Sequence, residues 1–467
     1  MFDTICAQLG ADADYDARVR RLDILGRVLD GRLYDVLPYE FHEERGAGGD
    51  YIPLRNRRPS VRYPLARIVV DDSVSLLFGD GHFPTFDCPE ARIRTVLGDV
   101  VRESGLNAVM LEAARMGSVG SVAVSLRILR GRPFFRSLDT RFLTPEWDPQ
   151  EPDRLLRVTE RYKVGGKVLQ QRGYDDCDPG ADYWFMRQWD AQAETWFQLQ
   201  PRRDPDLAAT DPARSVRHGL GFVPIAWIRN LPGGPDGPDG PDGACTFGAA
   251  IETGIEIDYQ LSQAGRGLKY ASDPLLLIRE PASPDGQVIR GGGNALVVGA
   301  NGDAKLLEIG GTAAQAVIEY VRTLREYALE GVHGNRASAD RLSAAQSGRA
   351  LELMNQGLIW LADRLRVSYG AGLLQLAAMV VQASHDFPLR VYGEAMAPLE
   401  PSARLSLKWP RWTAPNAEDR ARDAQTLQTL YAAGLVSRET AVKSIADVYD
   451  IEDLPAELTR IQSQEST

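Results

Sequence analysis

The chain is short of almost everything that catalysis draws on. It has five histidines in 467 residues, His42, His82, His218, His333 and His385. No two of them stand at metal-ligand spacing. The four cysteines, Cys6, Cys88, Cys177 and Cys245, lie far apart without a CxxC pair, which excludes zinc ribbons and redox dithiols. There is no GxSxG elbow and no GxxxxGK(S/T) phosphate loop. "GAGGD" (46–50) and "GGGNALVVG" (291–299) do not fit GxGxxG opening a helix, so a dinucleotide site is not expected. Positive charge is scarce too: 53 Lys plus Arg against 64 Asp plus Glu gives −11. That balance argues against tight, general nucleic-acid binding, which needs a basic surface. The start, "MFDTICAQLGADADYD", lacks the basic n-region and apolar run of a signal peptide. The greasiest stretch, "AGLLQLAAMVV" (371–381), is too short to span a bilayer. The expectation is a reduced, soluble, cytosolic chain with no catalytic residue, metal or cofactor, and no membrane partner.

One acidic run invites a metal reading. "YDDCDPGADYW" (174–184) holds Asp175, Asp176, Asp178 and Asp182. Two-metal hydrolysis needs carboxylates that converge from separate places, whereas this run is local and broken by Pro-Gly, as in a solvated turn. His82, Asp87 and Cys88 read as ordinary loop residues. A metal-dependent nucleic-acid-processing enzyme built on 175–182 is the alternative to a non-enzymatic chain.

What is present is structural. The composition is 44% hydrophobic and 25% charged, ordinary for a globular protein, and the length allows two to four domains. Residues 14–37 read as an amphipathic helix and its end, and 45–60 as loop. Residues 89–116 carry Ile93, Leu97 and Val100, then Leu106, Val109, Met110 and Ala113, with Gly105 as a break. "GSVGSVAVSLRILRGRPFFRSL" (117–138) reads as a hairpin. Residues 155–174 read as another that turns at Gly165-Gly166, and 182–201 as a further pair. Three tandem Pro-Asp-Gly units (235–243) inside "LPGGPDGPDGPDGACTFG" (231–248) read as a loop or hinge. A helix over 248–270, a small β module over 274–308 with strands at 275–278 and 295–298, and a helix over 313–330 follow. Next come a polar loop, "GVHGNRASAD" (331–340), and the long helical stretch from Arg341, with Leu351, Met354, Leu358, Leu361 and Leu365 on one stripe. Its glycines predict bends or close packing. Two strands over 387–410 and two or three short helices complete the chain. Gly434 is placed as a C-cap and Ser437 as an N-cap, and the residues beyond Asp453 are expected to fray.

This order resembles the portal proteins of tailed double-stranded-DNA bacteriophages. The resemblance rests on "VDDSVSLLFGDG" (70–81), "GSVAVSLR" (120–127), "HGLGFVPIAWIRN" (218–230), "SGRALE" (347–352) and "LYAAGLVSRETAVKSI" (430–445). It covers most of the chain, although the Pro-Asp-Gly run is not a feature of that family. It implies an α+β fold with an α+β wing (1–247, ending in the 232–243 hinge), stem helices (248–270 and 312–331), a β clip (271–311) and a tunnel loop (332–343). It further implies a long kinked spine helix (344–386), wing strands (387–412) and a helical crown (413–467). Twelve copies would form a ring at one capsid vertex, assembled in the host cytoplasm and carried in the virion. Double-stranded DNA would pass through it during packaging and ejection. The partners implied are the terminase large subunit, the head–tail adaptor, and the major capsid and scaffold proteins. The tunnel-loop residues would be His333, Asn335, Arg336, Ser338, Asp340 and Arg341. Glu252 and Glu256, one turn apart on the first stem helix, would face the channel. Acidic walls would let DNA slide, with a few basic groups to guide its backbone. An active phage, a prophage and a gene-transfer particle all fit this reading. A cytosolic oligomeric scaffold without a pore is the other alternative.

Overall fold

The computed structural model describes residues 1–10, 14–200, 209–272, 275–281, 298–307, 312–334, 355–401, 403–412, 417–446, 449, 451 and 454–465. The fold is mixed α+β. Helices α1 (Phe2–Gln8) and α2 (Ala17–Leu29) open it, and the Asp16 carboxylate caps α2 by accepting the Val19 N–H at 2.9 Å. Helix α3 (Leu65–Phe78) buries Val69, Val70, Leu77 and Phe78. Strand β1 (Thr85–Asp87) follows, and then α4 (Ala91–Ser104) and α5 (Leu106–Gly117). The break between these helices falls on Gly105, at φ 65°, a left-handed residue that ends one helix and starts the next.

Strands β2 (Ser121–Leu129) and β3 (Arg132–Asp139) form the expected hairpin. Arg130 and Gly131 both take positive φ at its tip, as a two-residue turn between right-twisted strands requires. Next come β4 (Leu143–Trp147), β5 (Leu155–Gly165), α6 (Gly166–Gln171), β6 (Asp182–Trp189), β7 (Ala193–Trp196), β8 (Val216–Arg217) and β9 (Ile225–Arg229). The Gly165-Gly166 pair is not a hairpin turn. Gly165 ends β5, Gly166 begins α6, and the returning strand starts only at Asp182. Gly166 is buried so tightly that a Cβ there would overlap the Asp178 carbonyl. The strands make a three-stranded antiparallel sheet, β3-β2-β9, and a five-stranded one, β4-β5-β6-β7-β8. Val122, Val124 and Leu126 turn one face of β2 to the main helical core. Ala123 and Ile225 turn the other face to Leu143, Val158 and Trp189 of the five-stranded sheet.

The chain then continues through α7 (Ile251–Ser272), β10 (Leu275–Pro281), β11 (Val298–Leu307), α8 (Thr312–Gly331) and α9 (Gln356–Asp386). Strands β10 and β11 pair antiparallel as a sheet of their own. They run longer than the four residues each that the sequence pattern predicts. Helix α9 is unbroken from 356 to 386 and long and apolar enough to cross a membrane, with 61% of its most apolar window buried. "AGLLQLAAMVV" is therefore part of a helix of sufficient length. Its Tyr369, Leu373, Leu376 and Val380 sit in the core, as expected of a core helix. Close packing accounts for its paired glycines. A Cβ on Gly372 would lie 2.4 Å from Ile228, and one on Gly370 would lie 3.4 Å from Trp409. Strands β12 (Arg390–Val391), β13 (Glu394–Ala395) and β14 (Ser406–Lys408) are very short, three where two are expected.

Helices α10 (Ala417–Ala432), α11 (Arg438–Ala446) and α12 (Leu454–Glu465) end the chain. Gly434 has φ 70°, and the Ser437 hydroxyl accepts the Thr440 N–H at 3.1 Å, so both caps stand where expected. Past Asp453, where fraying is expected, residues 454–465 are helical. The chain divides into two compact units, Met1–Arg336 with Gly357–Pro410, and Ala337–Gln356 with Arg411–Thr467.

The Pro-Asp-Gly segment lies wholly inside the first unit and is a latched loop. Asp242 is almost fully buried. Arg18 grips both its oxygens at 2.8 Å, Arg21 donates at 2.9 Å, and the Ser121 hydroxyl donates at 2.6 Å. The third Arg18 nitrogen donates to the carbonyls of Thr140 and Leu143. Trp227 and Arg229 donate to the carbonyls of Pro241 and Pro238. A hinge needs few fixed contacts, and this loop has many.

Candidate functional site: the α7–α8 excursion and the turn after α8

Helix α7 leaves the core along a stripe of Ile251, Ile255, Asp258 and Ser262, spaced four, three and four residues apart. Two polar side chains thus occupy the buried face of an otherwise apolar stripe, and both are satisfied. The Tyr34 hydroxyl and the Tyr63 N–H donate to the two Asp258 oxygens, each at 2.6 Å. The Ser262 hydroxyl accepts the Val61 N–H at 3.0 Å and donates to the Asp258 carbonyl at 2.7 Å. The Tyr259 hydroxyl donates to the Arg57 carbonyl at 2.8 Å. Burial pushes the Asp258 carboxyl up to about 6, against the pull of the Tyr34 and Tyr63 bonds and of the Arg62 charge. Burial and the Asp258 charge raise the Tyr34 phenol in turn. The root of α7 is therefore fixed to the 57–63 segment by hydrogen bonds that the apolar pattern did not reveal. The only signal was a carboxylate on a buried stripe.

Glu252 is exposed, 3.6 Å from the N-terminal ammonium. Glu256 is half-buried and accepts the Gln260 amide at 2.7 Å. Further out, α8 leaves Tyr320 and Tyr327 exposed on one face and Ile318 exposed on the opposite one.

Helix α8 ends in a Schellman turn. The Gly334 N–H donates to the Leu329 carbonyl at 2.8 Å, and the His333 N–H to the Glu330 carbonyl at 3.3 Å. The left-handed position belongs to His333, at φ 55°, between two nearby glycines that do not take it. Its exposed ring stands edge-on to Trp360, with centroids 6.1 Å apart. Asn335, Arg336, Ser338, Asp340 and Arg341 lie outside the described residues. So do 341–354 of the stretch assigned to the long helix and 295–297 of the expected clip strand.

Elsewhere, Asp175, Asp176, Asp178 and Asp182 are strung along an exposed turn. Asp178 accepts the Gly180 N–H at 2.9 Å, and Asp182 stands 3.8 Å from Lys163. Among the described residues no group of three or more His, Cys, Asp or Glu side chains is placed to hold a metal ion.

No protein-family model matches the chain, and neither does any curated protein. Among solved structures it is similar to a chain in the neck of an empty gene transfer agent (GTA) particle computed with C6 symmetry, with a TM-score of 0.40 and 11% identity. That likeness covers 82% of this chain and 88% of the other. It is also similar to a chain in the virion of a native GTA particle, with a TM-score of 0.39 and 14% identity, over 82% and 92% of the two chains. Both scores lie below 0.5, and the functional reading rests on this chain's own residues.

Proposed function

We propose that the chain is the subunit of a portal: a twelve-membered ring at a capsid vertex through which double-stranded DNA is packaged and ejected. The observation that carries this reading is the α7–β10–β11–α8 excursion. A helix rooted in an α+β body leads to an isolated antiparallel hairpin, a second helix returns, and a 31-residue core helix follows. This is the stem, clip, stem and spine order that the resemblance implies. The large apolar side chains left exposed on two opposite faces of α8, Ile318 on one and Tyr320 and Tyr327 on the other, support a stem helix flanked by neighbouring copies. In this reading Glu252 and Glu256 face the channel, and the segment from His333 through Arg341 approaches DNA. The terminase large subunit and the head–tail adaptor dock at the hairpin in turn, and the body meets capsid and scaffold proteins.

Negative-stain electron microscopy with light scattering tests it. The expected result is rings with a central hole and a mass of twelve 51.4 kDa chains, about 617 kDa. A compact monomer or dimer, unchanged when scaffold is supplied, would refute it.

A further inference from the structure

The five-stranded sheet covers only part of the β2–β3–β9 face. Cover stops at Glu194, whose two oxygens each accept Arg127 at 2.7 Å. Beyond that bond the same face of the hairpin is bare. Register places Leu129 opposite Arg132 and Arg127 opposite Phe134, and Arg136 follows on the same side. All five side chains are exposed. Arg390 stands beside the tip of this hairpin: its N–H donates to the Gly131 carbonyl, and its side chain packs over Gly131. Arg132 is paired with Glu103 at 2.8 Å. Arg130, Arg136 and Arg390 make no ion pair among the described residues. In a chain of net charge −11, this is a concentration of unbalanced positive charge around exposed Leu129 and Phe134. Arginine beside exposed apolar side chains is the make-up of a protein-binding surface, because duplex DNA asks for charge without the leucine.

The opposite sign is found at the other end of the five-stranded sheet. Asp182 opens β6, and Trp189, which closes it, stands opposite Glu194. Seven strand steps of about 3.3 Å separate the two ends by roughly 23 Å. The turn before Asp182 carries Asp175, Asp176 and Asp178, all exposed. Arg172 and Arg214 stand nearby, but Arg172 donates to the Tyr162 hydroxyl and Arg214 stacks on Tyr174. A basic surface and an acidic surface at opposite ends of one sheet cannot satisfy each other within a chain. They can do so between copies related by rotation, where each contact uses two different surfaces and the ring closes.

We propose that the bare hairpin face around Arg130, Arg132, Arg136 and Arg390 docks the 175–178 turn of the next copy. This rests on the ring reading and assigns it a contact. The test is charge reversal with rescue, read by light scattering at several protein concentrations. R130E/R136E and D175R/D176R should each raise the concentration at which the oligomer half-dissociates by at least about tenfold, with circular dichroism unchanged. The combined variant, with both surfaces reversed, should recover assembly.

A second measurement uses the native thiol in the acidic turn. R130C, treated with copper phenanthroline in air, should give a ladder of disulfide-linked oligomers through Cys177, and C177S should abolish it. Wild-type rings left unchanged by R130E/R136E, or a combined variant no better than either parent, would overturn the contact while leaving the ring. Disruption without rescue, accompanied by lost retention on double-stranded DNA, would assign the patch to nucleic acid instead. A wild-type chain that never assembles would overturn both readings.

Discussion

His333 and Asp258 carry costs that the surrounding structure sustains. A left-handed conformation costs a side-chain-bearing residue about 1–2 kcal/mol, and His333 accepts it at the end of α8 although Gly331 and Gly334 flank it closely. H333G should raise stability by about 1 kcal/mol, measured by urea unfolding. No gain would mean that the Trp360 contact offsets the strain. Asp258 works through its proton. Its folded carboxyl titrates at about 6, above the ordinary carboxylate value near 3.9. The folded state therefore binds the proton more tightly. The associated stability is fully present below about pH 4 and is lost as pH rises through about 6. D258N should raise the melting temperature at pH 8 and change it little at pH 5, because the Tyr34 hydroxyl can turn to accept from the new amide. An equal shift at both values would count against the buried charge. Neither residue declared itself in the sequence. His333 reads as polar loop, and Asp258 reads as one more acid on an amphipathic helix.

The elements themselves were largely legible wherever periodicity decided them. The Gly105 break, the β2–β3 hairpin, helices α7 and α8 and the Ser437 cap follow from spacing and turn chemistry. What pattern could not supply was partnership. Gly165-Gly166 looks like a hairpin turn until the close approach of the Asp178 carbonyl shows why glycine is needed there. Three identical Pro-Asp-Gly units look equivalent, yet their aspartates differ. Asp242 is buried between two arginines, Asp236 pairs with Arg21 at the surface, and Asp239 is exposed. Burial by itself would raise the Asp242 carboxyl, but the Arg18, Ser121 and Arg21 bonds outweigh it and the value is lowered. Its stabilisation is therefore present above about pH 4 and lost as pH falls through the folded value. Removing one member of such a buried pair strands the other charge and costs about 3–5 kcal/mol. D242A should lose about that much in thermal or urea unfolding, while D239A should stay within about 0.5 kcal/mol of the parent. Similar losses for both would show that the loop's composition matters and the latch does not.

Across the whole chain, the candidate site reads as an order of elements rather than as chemistry. The β10–β11 hairpin is a two-stranded sheet of its own, and a lone hairpin is at best marginally stable in water. Deleting 275–305 should leave soluble monomer or ragged oligomers by negative stain. Intact rings from that deletion would show that the hairpin takes no part in assembly. The latch also bears on timing. Arg18 and Asp242 are 224 residues apart, as are Tyr34 and Asp258. At about 5–20 residues per second, α2 would leave the ribosome roughly ten to forty-five seconds before its buried partner exists. For that interval its arginines face water and its core side stays open. Completion of the body therefore waits for α7 and, because Tyr369, Leu373, Leu376 and Val380 belong to the same core, for α9 as well; a nascent chain stalled before residue 242 should be a substrate for holding chaperones and proteases, whereas one released past 410 should not.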